Sequence, residues 1–368
     1  MATIAKKQRN ANMDLLRIVS MLLIILLHSI DHSGVLEASE TAPIAAQLWV
    51  RFTYMLTQVC VNCYVLISGY FLVTSKFRLK KLVALWMEVV FYSLTVRIVF
   101  ILTGYRAFSI SSILSCFVPV FTGRYWFITI YFGLYLIFPF LNIAIRAMNR
   151  FQHTILNVIL FVLFSVMVSV HPSYAGMNSG GGWGLAWFVV LYFAAAWFRL
   201  YYNKKSKLMP TLIYIIGSLA IACGFVLVGS RIPFVRTVLG NLYRYDSVAA
   251  YVFSLCVLAI FINIKINTSI NRVIIFIAPA TFGVYLIHAH ADFSPWSWEF
   301  FNLPQYISNA AFPLIQIGVV IGIFVFCAGV DLTRKYTIGK LETSQLLHSI
   351  CECVEKKVLN VIKNISLR

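Results

Sequence analysis

Ten apolar runs, each close to or beyond the length needed to cross a bilayer, limit what this chain can be. They fall at about 15–32, 48–73, 82–104, 125–145, 154–170, 184–200, 209–229, 247–264, 273–291 and 309–331. A hydrocarbon core about 30 Å thick is crossed by about 20 helical residues. Inside lipid each backbone N–H and C=O needs a partner within its own segment, so such runs become helices. Composition agrees: 61% of the 368 residues are hydrophobic and 11% charged, and mean hydropathy is +0.85. Soluble domains carry about 25% charged residues, and a soluble globule of this size has nowhere to hide so much apolar surface. The expected fold is all-α, a polytopic membrane protein of about ten transmembrane helices. A secreted disulfide scaffold, a coiled coil and a disordered chain are excluded. The stretch 109–122 is apolar but short and broken by Pro119, which predicts a re-entrant or interfacial segment.

Charge sets the orientation. If successive runs alternate across the bilayer, 23 of the 30 Lys and Arg fall on the side of the N-terminus, every lysine among them. Positive residues stay inside, so both termini are expected in the cytoplasm. The net charge of +18 is then a property of loops in contact with a lipid bilayer, and no nucleic acid partner is expected. Residues 1–332 read as one membrane domain and 333–368 as a basic cytoplasmic tail lying on anionic lipid. Lys6, Lys7 and Arg9 before Ile18–Leu27 resemble a signal peptide, but no small-residue cleavage site follows, so the first run is expected to stay as a helix. The remaining seven cations, Arg51, Arg97, Arg106, Arg124, Arg231, Arg236 and Arg244, lie on the outer side or in the outer half of a helix. Their guanidinium forks suit an anionic or hydroxyl-rich ligand. They suit equally well ion pairs with Glu37, Glu40, Asp246, Asp292 or Glu299.

Ionisable groups inside a membrane are expensive and point to function. The first run is richest, with Asp14, Arg17, His28 and Asp31. At 100° per residue Arg17 and His28 project from one face, about 16 Å apart along the axis. Asp14 shares that stripe and is one turn from Arg17, within pairing distance. Asp31, three residues beyond His28, is the nearest carboxylate able to orient its ring. Arg124, Tyr125 and Trp126 open an outer helix end, either as interfacial aromatics or as a sugar-stacking surface. His288 can contact an acceptor or serve packing. It cannot share a metal with His290, since two helical positions diverge by about 200°. Cys60 and Cys63 lie in an apolar run, and Cys351 and Cys353 lack a second pair, so no metal site is expected. Gly180–Gly182 reads as a flexible turn. Glu88 is open to pairing with Lys81 or to a place in a channel.

Several segments together resemble a known family. Asp14-Leu15-Leu16 leads into Arg17 and His28 with ten residues between them, as in the first helix of the acyltransferase-3 membrane proteins. Leu66-Ile67-Ser68-Gly69-Tyr70-Phe71 followed by Arg78 and Lys81, Tyr125-Trp126-Phe127 with Pro139-Phe140-Leu141-Asn142, Trp183 with Trp187-Phe188, and Gly283-Val284-Tyr285-Leu286-Ile287-His288 are similar to later family segments, in order, over residues 10–332. Within the family the chain resembles bacterial surface-polysaccharide O-acetyltransferases, the enterobacterial common antigen type included. The resemblance implies a multi-pass enzyme of the bacterial inner (plasma) membrane. It would move an acetyl group from cytoplasmic acetyl-CoA to a sugar hydroxyl of a surface polysaccharide or lipid-linked glycan, with Arg17 and His28 as the family's arginine and histidine. No soluble SGNH-type extension of the kind some relatives carry is expected. The physical reading fits. Coenzyme A is a polyanion that needs cations at the cytoplasmic mouth, where Arg17, Lys76, Arg78, Lys80 and Lys81 are expected. A sugar hydroxyl needs a general base, and His28 is suited to it; a covalent acetyl-histidine is the less favoured route. A transporter or flippase for acetyl groups or lipid-linked sugars is the alternative for ten helices with buried charge.

Overall fold

A computed structural model describes residues 10–171, 179–203 and 206–337, and all regular structure among them is helical. The main helices are α1 (Ala11–Asp31), α2 (Ile44–Leu72), α3 (Leu79–Leu102), α4 (Ile110–Phe117), α5 (Trp126–Ala147) and α6 (Arg150–Val170). They continue as α7 (Leu185–Tyr201), α8 (Leu208–Val228), α9 (Val248–Asn263), α10 (Thr268–His288), α11 (Phe293–Phe301) and α12 (Phe312–Thr337). Eight are long and apolar enough to cross a membrane; α7 and α9 are shorter apolar helices. These ten coincide with the ten apolar runs. Helix α12 continues through Thr337, past the domain boundary expected at 332. Residues 338–368, most of the expected tail, lie outside the described residues, as do Lys6, Lys7 and Arg9.

Local chemistry sets several boundaries. Asn10 caps α1 by accepting from the Met13 amide, and Asn149 and Gln152 form a reciprocal capping box at the start of α6. Pro279 breaks α10 with a single 3₁₀ turn at Ala278–Ala280. The stretch around Pro119 resolves as α4, a helix capped by the Ser109 hydroxyl and stopped before the proline. Ile110, Leu114 and Phe121 are left exposed there, as suits an interfacial segment.

Helix α1 packs against α2, α9, α10 and α12. Polar side chains fix its neighbours. Asn12 donates to the Phe261 and Ile264 carbonyls at the end of α9 (2.9 and 2.7 Å). Gln316 of α12 donates to the Ser29 hydroxyl (3.0 Å) and accepts from the Trp49 indole (2.8 Å). In α5, Asn142 donates to the Leu72 carbonyl and accepts from the Tyr192 hydroxyl, tying α5, α2 and α7 together. At the lysine-bearing end Asp331 of α12 accepts from Tyr92 (2.7 Å) and Arg334 (3.0 Å) and pairs with Lys335 (2.7 Å). Arg334 in turn bonds Glu88 of α3 at 2.7 Å, so Glu88 belongs to this helix clamp. Gly283 makes the clamp possible: a Cβ there would collide with the Asp331 carboxyl group.

Candidate functional site

One face of α1 lines two cavities. The outer one, about 250 Å³, is lined along α1 by Met21, Ile24, His28, Asp31 and His32. Those spacings of three, four and seven residues are one helical face. Across from them stand Val61 and Tyr64 of α2, Phe127 of α5, and Phe282 and Tyr285 of α10. The inner cavity, about 220 Å³, is lined by Arg17, by Ser68 and Phe71 of α2, by Lys81 of α3, and by Tyr131 and Tyr135 of α5. Arg17 is held by Asp14 at 2.5 Å, and Asp14 is almost fully buried.

The two cavities stack along the same three helices. Arg17 and Met21, Ser68 and Tyr64, Tyr131 and Phe127 are each four residues apart, one on the inner wall and one on the outer. The partition between them is therefore about one helical turn, about 6 Å. Aromatic rings fill it. Phe127 stacks on Tyr131 with centroids 6.1 Å apart and meets Tyr64 edge-on at 6.2 Å. The Tyr64 hydroxyl donates to the Arg17 carbonyl at 3.0 Å, which anchors the partition to α1.

In the outer cavity the His28 ring lies 4.6 Å from His32 and 5.1 Å from His288, centroid to centroid. Its Nδ1 is buried without a hydrogen-bond partner. The expected partner, Asp31, lines the same cavity, but it makes no hydrogen bond to this nitrogen. His288 adjoins His28, with ring centroids 5.1 Å apart, and does not itself line the cavity. Its Nδ1–H donates to the Val284 carbonyl at 2.7 Å, and its Nε2 is buried without a partner. His290 points away. Its Nε2–H donates to the Ser93 carbonyl and its Nδ1 accepts the Asp292 amide. Among the described residues no group of His, Cys, Asp and Glu is placed to hold a metal ion.

The three outer residues Arg124, Tyr125 and Trp126 all line this cavity. Arg124 is gripped through Nη2 by the Ser112 carbonyl (3.1 Å) and the Ser115 hydroxyl (2.6 Å) of α4, and its Nε is buried and unpartnered. The Tyr125 hydroxyl is spent on the Leu286 carbonyl at 2.9 Å, so this residue offers only its ring. Trp126 stacks on Trp183 (4.7 Å, 17°) and faces Tyr245 (6.4 Å, 20°). Sequence reasoning did not assign Trp183 or Tyr245 to the site. The signal was the glycine run, read as a flexible turn. Gly180, Gly181 and Gly182 all have positive φ, and a Cβ on Gly182 would lie 2.6 Å from the Tyr245 Cβ. The glycines thus bring Trp183 against the other two rings.

The other outer arginines are mostly neutralised. Arg51 and Arg236 share Glu40, Arg97 and Arg106 share the buried Asp292, and Arg244 pairs with Asp246. Of the seven, Arg124 alone lines the outer cavity. At the inner cavity Lys81 joins Arg17, whereas Arg78 and Lys80 are outside its walls. Arg78 contributes its carbonyl, which accepts from the Tyr135 hydroxyl (3.2 Å).

A family model described as an acyltransferase domain, of the acyltransferase-3 type, matches residues 10–332. The chain belongs to the acyltransferase-3 family. No curated protein and no solved structure matches it. Family membership makes it a membrane acyltransferase. The matched segment takes in both cavities and all ten apolar helices, ending within α12.

Proposed function

We propose that this acyltransferase is an O-acetyltransferase of the bacterial inner (plasma) membrane. It moves an acetyl group from cytoplasmic acetyl-CoA to a sugar hydroxyl of a surface polysaccharide or lipid-linked glycan. One observation carries the reading: a single helix presents Arg17 to a cavity at the lysine-bearing end and His28 to a cavity at the other. Arg17 and Lys81 offer cations to coenzyme A phosphates, and Arg17 adds a planar fork. The rise of about 16 Å from Arg17 to His28 is comparable to a pantetheine arm. Met21, Ile24 and Phe127 give the intervening wall an apolar character suited to a thioester.

At the outer cavity Trp126, Trp183 and Tyr245 form an aromatic wall against which a pyranose face can stack, and the Arg124 Nε–H is a buried donor for a sugar oxygen. His28 takes the hydroxyl proton as the sugar oxygen attacks the thioester carbonyl. The C–S bond then breaks, and the departing thiolate receives that proton. Acetyl-CoA bearing a label on its acetyl group tests this with purified protein and with membranes. The expected result is CoA release only when sugar acceptor is present, and a fall of about 1000-fold for His28→Ala. Full acetylation by His28→Ala would end the proposal. The closed partition between two oppositely placed cavities also suits a carrier. In that case the label crosses the bilayer without becoming covalently attached to glycan.

A further inference from the structure

His28 and His288 each carry an unmet hydrogen-bonding need, and the two needs match. His288 is 1% exposed, and the bond from its Nδ1–H to the Val284 carbonyl makes Nε2 a bare acceptor. That acceptor is buried and has no donor. Buried acceptors without donors are uncommon and call for a reason. His28 Nδ1, equally buried, also lacks a partner. The rings stand 5.1 Å apart with planes tilted 39°. Rotation about the soft Cβ–Cγ bond of histidine brings one nitrogen toward the other. His32, the other ring neighbour, is exposed. Water can meet its nitrogens, so it has no comparable need. The Asp31 carboxylate makes no hydrogen bond to His28 Nδ1, which leaves that nitrogen open to His288.

We infer that His288 is a positioning residue for the acetyl transfer: its Nε2 accepts the Nδ1–H of His28 and turns His28 Nε2 toward the acceptor hydroxyl. This rests on the function proposed above. It gives a neutral imidazole the place that a carboxylate holds in a serine hydrolase triad. The steps balance. The hydroxyl proton passes to His28 Nε2 as the oxygen–carbonyl carbon bond forms, and passes on to the CoA thiolate as the C–S bond breaks. The Nδ1–H of His28 stays bonded to His288 Nε2 throughout, and the Nδ1–H of His288 stays on Val284. Histidine 288 itself neither gains nor loses a proton. The arrangement also accounts for the fixed tautomer. Only with Nδ1–H held by Val284 is Nε2 free to accept.

Two substitutions separate this role from packing. An asparagine amide can replace the Nδ1–H bond to Val284 but leaves nothing at the Nε2 position. A glutamine oxygen can reach the Nε2 position. Inverted membrane vesicles carrying the full chain, with radiolabelled acetyl-CoA outside and their own glycan as acceptor, give the rates. We expect His288→Asn to lower kcat about 100-fold, with KM for acetyl-CoA within about twofold of wild type. His288→Gln is expected to keep kcat within about fivefold of wild type. Wild-type kcat in His288→Asn, or a change confined to KM, overturns the assignment. So does loss of activity in Gln with retention in Asn.

A second readout needs no activity. In ¹⁵N-histidine-labelled protein, with His28 assigned by its loss in His28→Gln, the wild type should show His28 protonated on Nδ1. His288→Asn should shift that proton toward Nε2. A wild-type His28 protonated on Nε2 overturns the inference, even if both His288 variants are inactive. If wild-type vesicles incorporate no acetyl, the proposed function fails, and the tautomer measurement still judges the His28–His288 bond.

Discussion

At the scale of single residues, the constraints that matter are contacts too close for any other side chain. Gly283 admits the Asp331 carboxylate against α10, and that carboxylate holds Tyr92, Arg334 and Lys335. Gly283→Ala is expected to cost about 2–3 kcal/mol, because the new methyl must displace a buried, fully engaged ion. Thermal unfolding in detergent measures it. Gly322→Ala, on the same partner helix with open space around it, should change stability by less than about 0.5 kcal/mol. An equal loss in both would mean that the clamp is not what Gly283 serves. The same logic governs Gly182, whose close approach to Tyr245 fixes Trp183 on the cavity rim. Neither glycine could be interpreted in isolation, since the clash partner comes from far along the chain.

Two features at the scale of the helix carry the proposed chemistry: the α1 stripe and the ring partition across α1, α2 and α5. Phe127→Ala removes the ring that touches both Tyr64 and Tyr131. Water should then pass between the cavities. We expect acceptor-independent hydrolysis of acetyl-CoA to rise severalfold while transfer to sugar falls, read by CoA release with and without acceptor. Unchanged hydrolysis would argue that other groups seal the passage. The cationic mouth gives a graded prediction. Lys81 lines the inner cavity with Arg17, and Arg78 and Lys80 do not. Lys81→Ala should raise KM for acetyl-CoA about 5–10-fold, the loss of one charged contact. Arg78→Ala should change it less than about twofold. The reverse order would place the donor elsewhere. The α1 stripe was legible because 100° per residue fixes which side chains share a face. The meeting of the His28 and His288 rings was not, because it depends on how α10 packs against α1.

The whole molecule is a bundle whose two ends differ in charge, and this asymmetry yields an orientation that can be measured. Lys76 and Arg231 are both exposed, at opposite ends by the alternation of the helices. Arg231→Cys should react with a membrane-impermeant maleimide in intact cells, and Lys76→Cys only after permeabilisation. The opposite pattern would invert the molecule and place Arg17 on the wrong side for a cytoplasmic donor. All ten apolar helices were legible in the sequence, because a bilayer imposes length and hydropathy on each span independently of its neighbours. Arg17, His28, Arg124 and Trp126 were legible as candidates for a related reason: charge and polarity inside a membrane stand out. Their arrangement was decided elsewhere. The meeting of His28 with His288, the capture of Arg97 and Arg106 by Asp292 and of Arg236 by Glu40, and the stacking of Trp183 on Trp126 all join residues distant in sequence. One-dimensional periodicity specifies what each helix buries. Only packing in three dimensions chooses the partner, because lipid rewards any apolar face alike and the choice falls to shape and to the few polar groups that must find each other.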